Sequence, residues 1–267
     1  MLAALEIEPI AIMRDQEALL KNSLYFAQPT KPELLDWEGD FPNLEKLAAL
    51  KPDFVFGWQE LSDVFKDIAP VYSVVDAQDS YVESHAEIRA LAKLVGREDV
   101  AERNIQNALD RLAAYKAKSP KNVSVMYGFF YQNTFSYRDG QSGTCNLLKE
   151  IALCDWPDPQ NKPGWSVEVG DEGLLKLDPD VLLVDNYGFD GKTDAQLITE
   201  FGKRPLWSEL KALKDNRLYI AKDDTANIDG MGTIGMSRVL DVYAPLLYPD
   251  VFPQALTDEE VQEILKR

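Results

Sequence analysis

Histidine is nearly absent: the chain's 267 residues hold one, His85. An acyl-transfer site of the serine-histidine kind would have only that residue as its base. Metal centres rich in imidazole are excluded, because one histidine cannot supply several ligands. His85 itself is predicted at the exposed start of a helix. No GxxxxGK[ST] loop occurs, which excludes nucleotide hydrolysis of that type. The glycines of 230–235 follow no suitable strand and read as a loop entering a helix. No apolar run approaches the roughly 18 residues that cross a bilayer. Residues 1–12 show no basic segment, apolar core and cleavage site, so no signal peptide is read there. Two expectations follow: a cytosolic protein, or a start that lies downstream of the true one. Positive charge is also scarce, with 28 Lys and Arg against 45 Asp and Glu, a net charge of −17. Nucleic acid and anionic membrane are therefore poor partners. Cysteine is limited to Cys145 and Cys154. They fit either one disulfide in an exported protein or two small apolar residues near a helix and its exit. Their spacing matches no short Cys-x-x-Cys metal motif.

What the chain does contain is a phrase said twice. Asn43-Leu44-Glu45-Lys46-Leu47-Ala48-Ala49-Leu50-Lys51-Pro52-Asp53-Phe54-Val55-Phe56 returns as Gly170-Asp171-Glu172-Gly173-Leu174-Leu175-Lys176-Leu177-Asp178-Pro179-Asp180-Val181-Leu182-Leu183. Each copy reads as a short amphipathic helix, a Pro-Asp break and a buried strand. The copies lie too far apart for a solenoid, whose period is about 20–50 residues. They suit two similar lobes with a ligand cleft between them. An apolar fraction of 45% is enough for real cores. Strands are expected at 10–13, 54–57, 71–75, 123–126, 181–184 and 217–220. Helices are expected at 61–68, 84–95, 98–118, 142–151 and 237–247, with a capping box at Thr257 and Glu260 opening the last one. Residues 25–42 and 127–137 are expected to be loops. Strands alternating with helices predict an α/β fold with mostly parallel sheets. The expected organisation is an N-terminal α/β lobe (1–96), a connecting helix (97–119) and a C-terminal α/β lobe (120–267).

In parallel sheets, ligands meet the loops beyond the carboxyl ends of strands. Trp58 follows the strand at 54–57, and Tyr187 follows that at 181–184. Tyr127, Phe129, Phe130, Tyr131, Phe135 and Tyr137 crowd the expected loop after 123–126. Trp165 lies just before the second repeat. Their flat faces and polar tips suit a bulky organic ligand. Arg14 and Arg138 hold comparable loop positions and could meet an anionic ligand. The alternative for the aromatics is plain packing, expected for Trp207, and for the arginines simple surface exposure. Glu45 and Glu172 each stand seven residues before the proline of their repeat. A glutamate early in a helix is favoured by the helix dipole alone. Their symmetry would also suit a partner that presents two symmetric arginines.

The segment 41–53 resembles the signature of class III substrate-binding proteins of ABC importers, the periplasmic or lipid-anchored receptors for ferric siderophores, haem and cobalamin. The segments 174–184 and 205–219 and the long helix around 98–118 resemble them too, so the resemblance spans nearly the whole chain. It implies two Rossmann-like lobes joined by one long helix, and a ligand held in the cleft between them. It also implies that Glu45 and Glu172 dock on arginines of the permease dimer. The first strand of the family, and any export signal or lipid-attachment cysteine, are missing here. The function implied is a non-enzymatic, monomeric receptor that binds a ferric siderophore and delivers it to a permease, with no resident cofactor or metal. Cobalamin or haem receptors of the same family are the alternatives. An enzyme such as a reductase or chelatase, or a cytosolic ligand sensor, would be a rival on the same scaffold. The candidate ligand-binding residues are Arg14, Trp58, Tyr127, Tyr131, Tyr137, Arg138, Trp165 and Tyr187.

Overall fold

Short strands paired two by two, with small helices between them, build the first of two units, Met1–Gln78 with Ile88–Ala101. The structure is a computed structural model; it describes all residues except 15–16, 18–30, 40, 59–61, 75–79, 132, 141–142, 159–165, 187–188, 190, 222–231 and 267. Strand β1 (Ala11–Met13) pairs in parallel with β2 (Glu33–Leu35). A small antiparallel ribbon, β3 (Trp37–Glu38) and β4 (Phe41–Pro42), follows directly. Residues 33–42, expected as loop, are thus partly extended; segments of two or three residues carry too little alternation to be read. The first repeat then gives α1 (Leu44–Ala49) and β5 (Val55–Trp58). Asn43 caps the helix, its side-chain oxygen accepting from the Lys46 amide at 2.6 Å. Helix α2 (Ser62–Phe65) leads to β6 (Val71–Val74), which lies parallel to β5. Leu35, Leu47 and Phe65 form the buried centre, flanked by Met13, Val55 and Val71.

Helices α3 (Tyr81–Val95) and α4 (Glu98–Lys118) each have residues in both units. Because α3 begins at Tyr81, His85 lies within its second turn and is 3% exposed. That corrects the exposed helix start expected for this residue. Ser84, His85, Ile88, Leu91 and Ala92 form the buried stripe at helical spacing.

The second unit comprises Asp79–Glu87 and Glu102–Arg267. Its elements are β7 (Val125–Tyr131), β8 (Thr134–Arg138), α5 (Gly143–Leu148), β9 (Ser166–Val169), α6 (Asp171–Leu177), β10 (Val181–Asp185), α7 (Asp194–Phe201), α8 (Lys211–Lys214), β11 (Leu218–Ala221), α9 (Thr233–Leu247) and α10 (Asp258–Leu265). One five-stranded sheet runs in the order β11-β10-β7-β8-β9. The first three strands are parallel, whereas β8 and β9 run antiparallel to their neighbours. The aromatic segment expected as a loop is therefore a hairpin. Two connecting residues suffice for antiparallel partners, and Asn133 takes the left-handed conformation there (φ 67°).

The two repeats also leave their helices in the same way. Lys51 after α1 and Asp178 after α6 both turn left-handed, with φ of 49° and 39°, directly before the Pro-Asp pair. In the second copy Asp180 is then used structurally. Its carboxylate accepts from the Ser124 amide and hydroxyl, both at 2.8 Å, and pairs with Lys211. Trp207 is fully buried, as expected, and its indole donates to Asp171 at 2.8 Å.

Candidate functional site

The sheet of the second unit has two chemically different faces, and cross-strand register assigns residues to them. Side chains alternate along a strand, and directly opposed residues share a face. Phe130 opposes Phe135, and both pack with Met126, Tyr137, Val167, Leu182, Val184, Phe201 and Trp207 in one apolar cluster. The other face must carry the intervening residues: Tyr127, Phe129 and Tyr131 on β7, Thr134, Ser136 and Arg138 on β8, Ser166 and Glu168 on β9, and Asp185 on β10. This second face is the candidate site.

Its centre is a cation on an aromatic ring. The Arg138 guanidinium carbon lies 5.1 Å from the centroid of Phe129. A cation–π contact of this kind contributes on the order of 0.5–1 kcal/mol at a solvent-accessible position. Both side chains are partly exposed. Next to them, Tyr127 is 1% exposed and its hydroxyl donates to Asp185 at 3.1 Å. Tyr127 is therefore a buried support that orients a carboxylate. Tyr131 closes the same face at the end of β7 and is 63% exposed. Arg204 anchors the hairpin from the apolar side: it lies over Phe130 and donates to the Asn133 carbonyl at 3.2 Å. The platform is thus rigidly mounted while one face stays accessible.

Of the residues singled out in the sequence, Tyr127, Tyr131 and Arg138 come together here. Tyr137 does not join them. It neighbours Arg138 in sequence but points into the apolar cluster, where it is 2% exposed and its hydroxyl donates to the Pro157 carbonyl at 2.5 Å. Burial, with help from Asp158 and Asp139, pushes that hydroxyl above its ordinary ionisation range. Trp165 and Tyr187 lie outside the described residues, as does the side chain of Trp58, whose backbone ends β5 opposite Val74. Phe129 was among the aromatics named from sequence but not among the candidate binding residues, and Ser136, Glu168 and Asp185 were not selected. The alternation of Thr134-Phe135-Ser136-Tyr137-Arg138 is a strand signal that groups Ser136 with Arg138.

Arg14 and the first glutamate belong to the first unit. Arg14 follows β1 and pairs with Asp36, which follows β2; Nη2 reaches Oδ2 at 3.0 Å, and Nε bonds Oδ1. Both side chains are more than half exposed. The hydrogen bond from Arg14 holds the Asp36 carboxyl below its ordinary range. Arg14 is therefore already committed to a carboxylate of its own chain. Glu45 and Glu172 are both exposed, and each is the second residue of its helix, behind Asn43 and Gly170 respectively. The repeat thus places them equivalently on the two units' own helices. Among the described residues, no group of three or more His, Cys, Asp or Glu could hold a metal ion. Nor is any described helix long and apolar enough to cross a membrane.

Residues 23–225 match the model of a family described as periplasmic binding protein. The chain belongs to that family. The Fe(3+)-citrate-binding protein YfmC of Bacillus subtilis is 28% identical over 190 residues, which cover 69% of this chain and 58% of that one. The present chain thus spans less than two thirds of that relative's length. The Fe(3+) dicitrate-binding periplasmic protein FecB of Escherichia coli is 24% identical over 233 residues, 84% of this chain and 73% of that one. Among solved structures, the triscatecholate siderophore binding protein FeuA from Bacillus subtilis, complexed with ferri-bacillibactin, superposes with a TM-score of 0.72. It covers 92% of this chain and 87% of its own, at 18% identity. At that identity the likeness is one of fold: this chain is built, like its neighbours, from two α/β units.

Proposed function

We propose that this chain is the substrate-binding component of an ABC importer, receiving iron(III) as an anionic chelate and passing it to a permease dimer outside the cytoplasm. The observation that carries the reading is the mounted Arg138–Phe129 pair on an accessible sheet face. Iron(III) in a chelate is enclosed by the chelator's oxygen atoms. A receptor therefore recognises the outer surface of the complex, its carboxylates and flat organic parts. A guanidinium suits carboxylate oxygens, and Phe129 and Tyr131 offer apolar contact beside it. The named relatives that bind ferric citrate support the same class of cargo. The family and the relatives named above are binding proteins, which supports a receptor over an enzyme. Glu45 and Glu172, equivalent and exposed, are assigned to permease docking.

The test is a calorimetric titration with ferric citrate and with a cationic ferric hydroxamate. A hydrogen bond to a charged group is worth about 1.5–3 kcal/mol. Arg138→Ala should therefore weaken ferric citrate about 10–150-fold, while the cationic chelate binds no worse than to the parent. Equal affinity of parent and variant for ferric citrate would remove Arg138 from the site.

A further inference from the structure

The second unit also contains a chemical feature that iron uptake does not require. Cys145 lies on α5 and Cys154 just beyond that helix, and both are 0% exposed. The structure holds both as free thiols, with their sulfur atoms 2.6 Å apart, closer than two unbonded sulfurs pack. They are the chain's only cysteines, so each has one possible partner within the molecule. Cys145 Sγ also faces the Arg138 carbonyl, at 3.7 Å. A Cβ on nearby Gly140 would come within 2.9 Å of the Cys154 carbonyl and 2.6 Å of the Asp155 carboxylate. The exit of β8 and the segment at 154–155 are therefore packed against each other around the two thiols. Backbone bonds continue the contact: Leu153 donates to the Val123 carbonyl and Val125 to that of Leu153, each at 2.9 Å.

We propose that Cys145 and Cys154 form a disulfide that staples α5 to the segment at 154–155 behind β8. Formation breaks two S–H bonds and makes one S–S bond. Two electrons and two protons pass to a disulfide oxidant, which is reduced to two thiols. An oxidising compartment outside the cytoplasm provides such oxidants, so bridging in the cell rests on the extracytoplasmic location proposed above. Bridging in solution does not. Once the unit is packed, both sulfurs are shielded from solvent, and burial pushes the Cys154 thiol well above its ordinary value. Exchange needs thiolate and access. The bridge therefore closes while the chain is folding and afterwards resists reductant in the native state.

The experiment refolds the purified chain in a glutathione redox buffer, denatures it in the presence of a maleimide, and weighs it. The proposal predicts no maleimide addition, and two additions when reductant accompanies the denaturant. Millimolar dithiothreitol without denaturant should leave the bridge intact. Two additions to the glutathione-refolded protein would overturn the proposal. A second arm compares melting temperatures. The oxidised parent should melt about 5–10 °C above the same protein reduced, as expected for a bridge closing a short loop in a chain of this size. Cys145→Ser/Cys154→Ser should melt at one temperature under both conditions. Equal melting of oxidised and reduced parent would refute the stapling role. Neither readout involves a chelate, so failure here is distinct from failure of the receptor assignment.

Discussion

Replacing Gly128 by alanine tests whether the hairpin is the frame of the site. Gly128 sits on β7 opposite Tyr137, and its hydrogen faces the apolar cluster. A Cβ there would lie 2.4 Å from Cζ and 2.8 Å from Cε2 of Phe135, and 2.5 Å from the Ser136 carbonyl oxygen. The Phe135 ring cannot step aside, because Phe130 and Trp207 each hold it with ring centroids 5.4 Å away. The Ser136 carbonyl is backbone of the partner strand and moves only if the ladder opens. Overpacking a rigid core costs about 1–3 kcal/mol. With one ring and one main-chain oxygen in the way, the upper end applies, about 3 kcal/mol. For a chain of this size that lowers the melting temperature by about 6–12 °C. Differential scanning calorimetry reads the shift directly. Gly170→Ser is the control: nothing lies within 4 Å of its Cβ position, and serine is a good N-cap. Its melting temperature should stay within about 1–2 °C of the parent. A Gly128→Ala variant that melts with the parent would refute the packing described for the hairpin.

Two further outcomes are expected. Burial alone would raise the Asp180 carboxyl, but bonds from Lys211 and Ser124 outweigh it and hold the group below its ordinary 3.8. The stabilisation is thus complete above that value and is lost as pH falls through the lower folded-state one. Asp180→Asn should lower the melting temperature by a few degrees near neutral pH, about 1–2 kcal/mol, and the gap to the parent should close below about pH 4 in calorimetric melts. A gap independent of pH would remove the carboxylate's charge from the explanation. Glu45→Ala/Glu172→Ala should bind ferric chelate like the parent yet fail to support iron uptake by cells that rely on this receptor. Weakened chelate binding in that variant would contradict the docking role.

The elements with dense local signals were legible in the sequence. The helix at 98–118 shows its stripe, Thr257 and Glu260 spell a capping box that the structure contains, and the repeat announces two equivalent helix–strand pairs. The hairpin at 125–138 was not legible. Its first strand, Val125–Tyr131, is aromatic or apolar on both faces and shows no polar alternation, so the alternation of Thr134–Arg138 lacked a visible partner strand. Once 134–138 is known to be a strand, Tyr137 and Arg138 go to opposite faces, and the cross-strand register shows that Arg138 shares its face with Phe129 and Ser166. Similarly, the commitment of Arg14 to Asp36 arises from the pairing of β1 with β2, which are distant in sequence. Residue type and position suggested what could bind; long-range pairing decided which of those side chains share a face.

The central claim is that the cargo is iron(III) in chelated form. Tryptophan fluorescence of the purified chain, titrated with ferric citrate and with citrate alone, addresses it most directly, with catecholate and hydroxamate chelates, haem and cobalamin in parallel. The account predicts saturable quenching by an anionic ferric chelate and none by its metal-free form. A flat response to every ferric chelate, or saturation by haem or cobalamin alone, would contradict it.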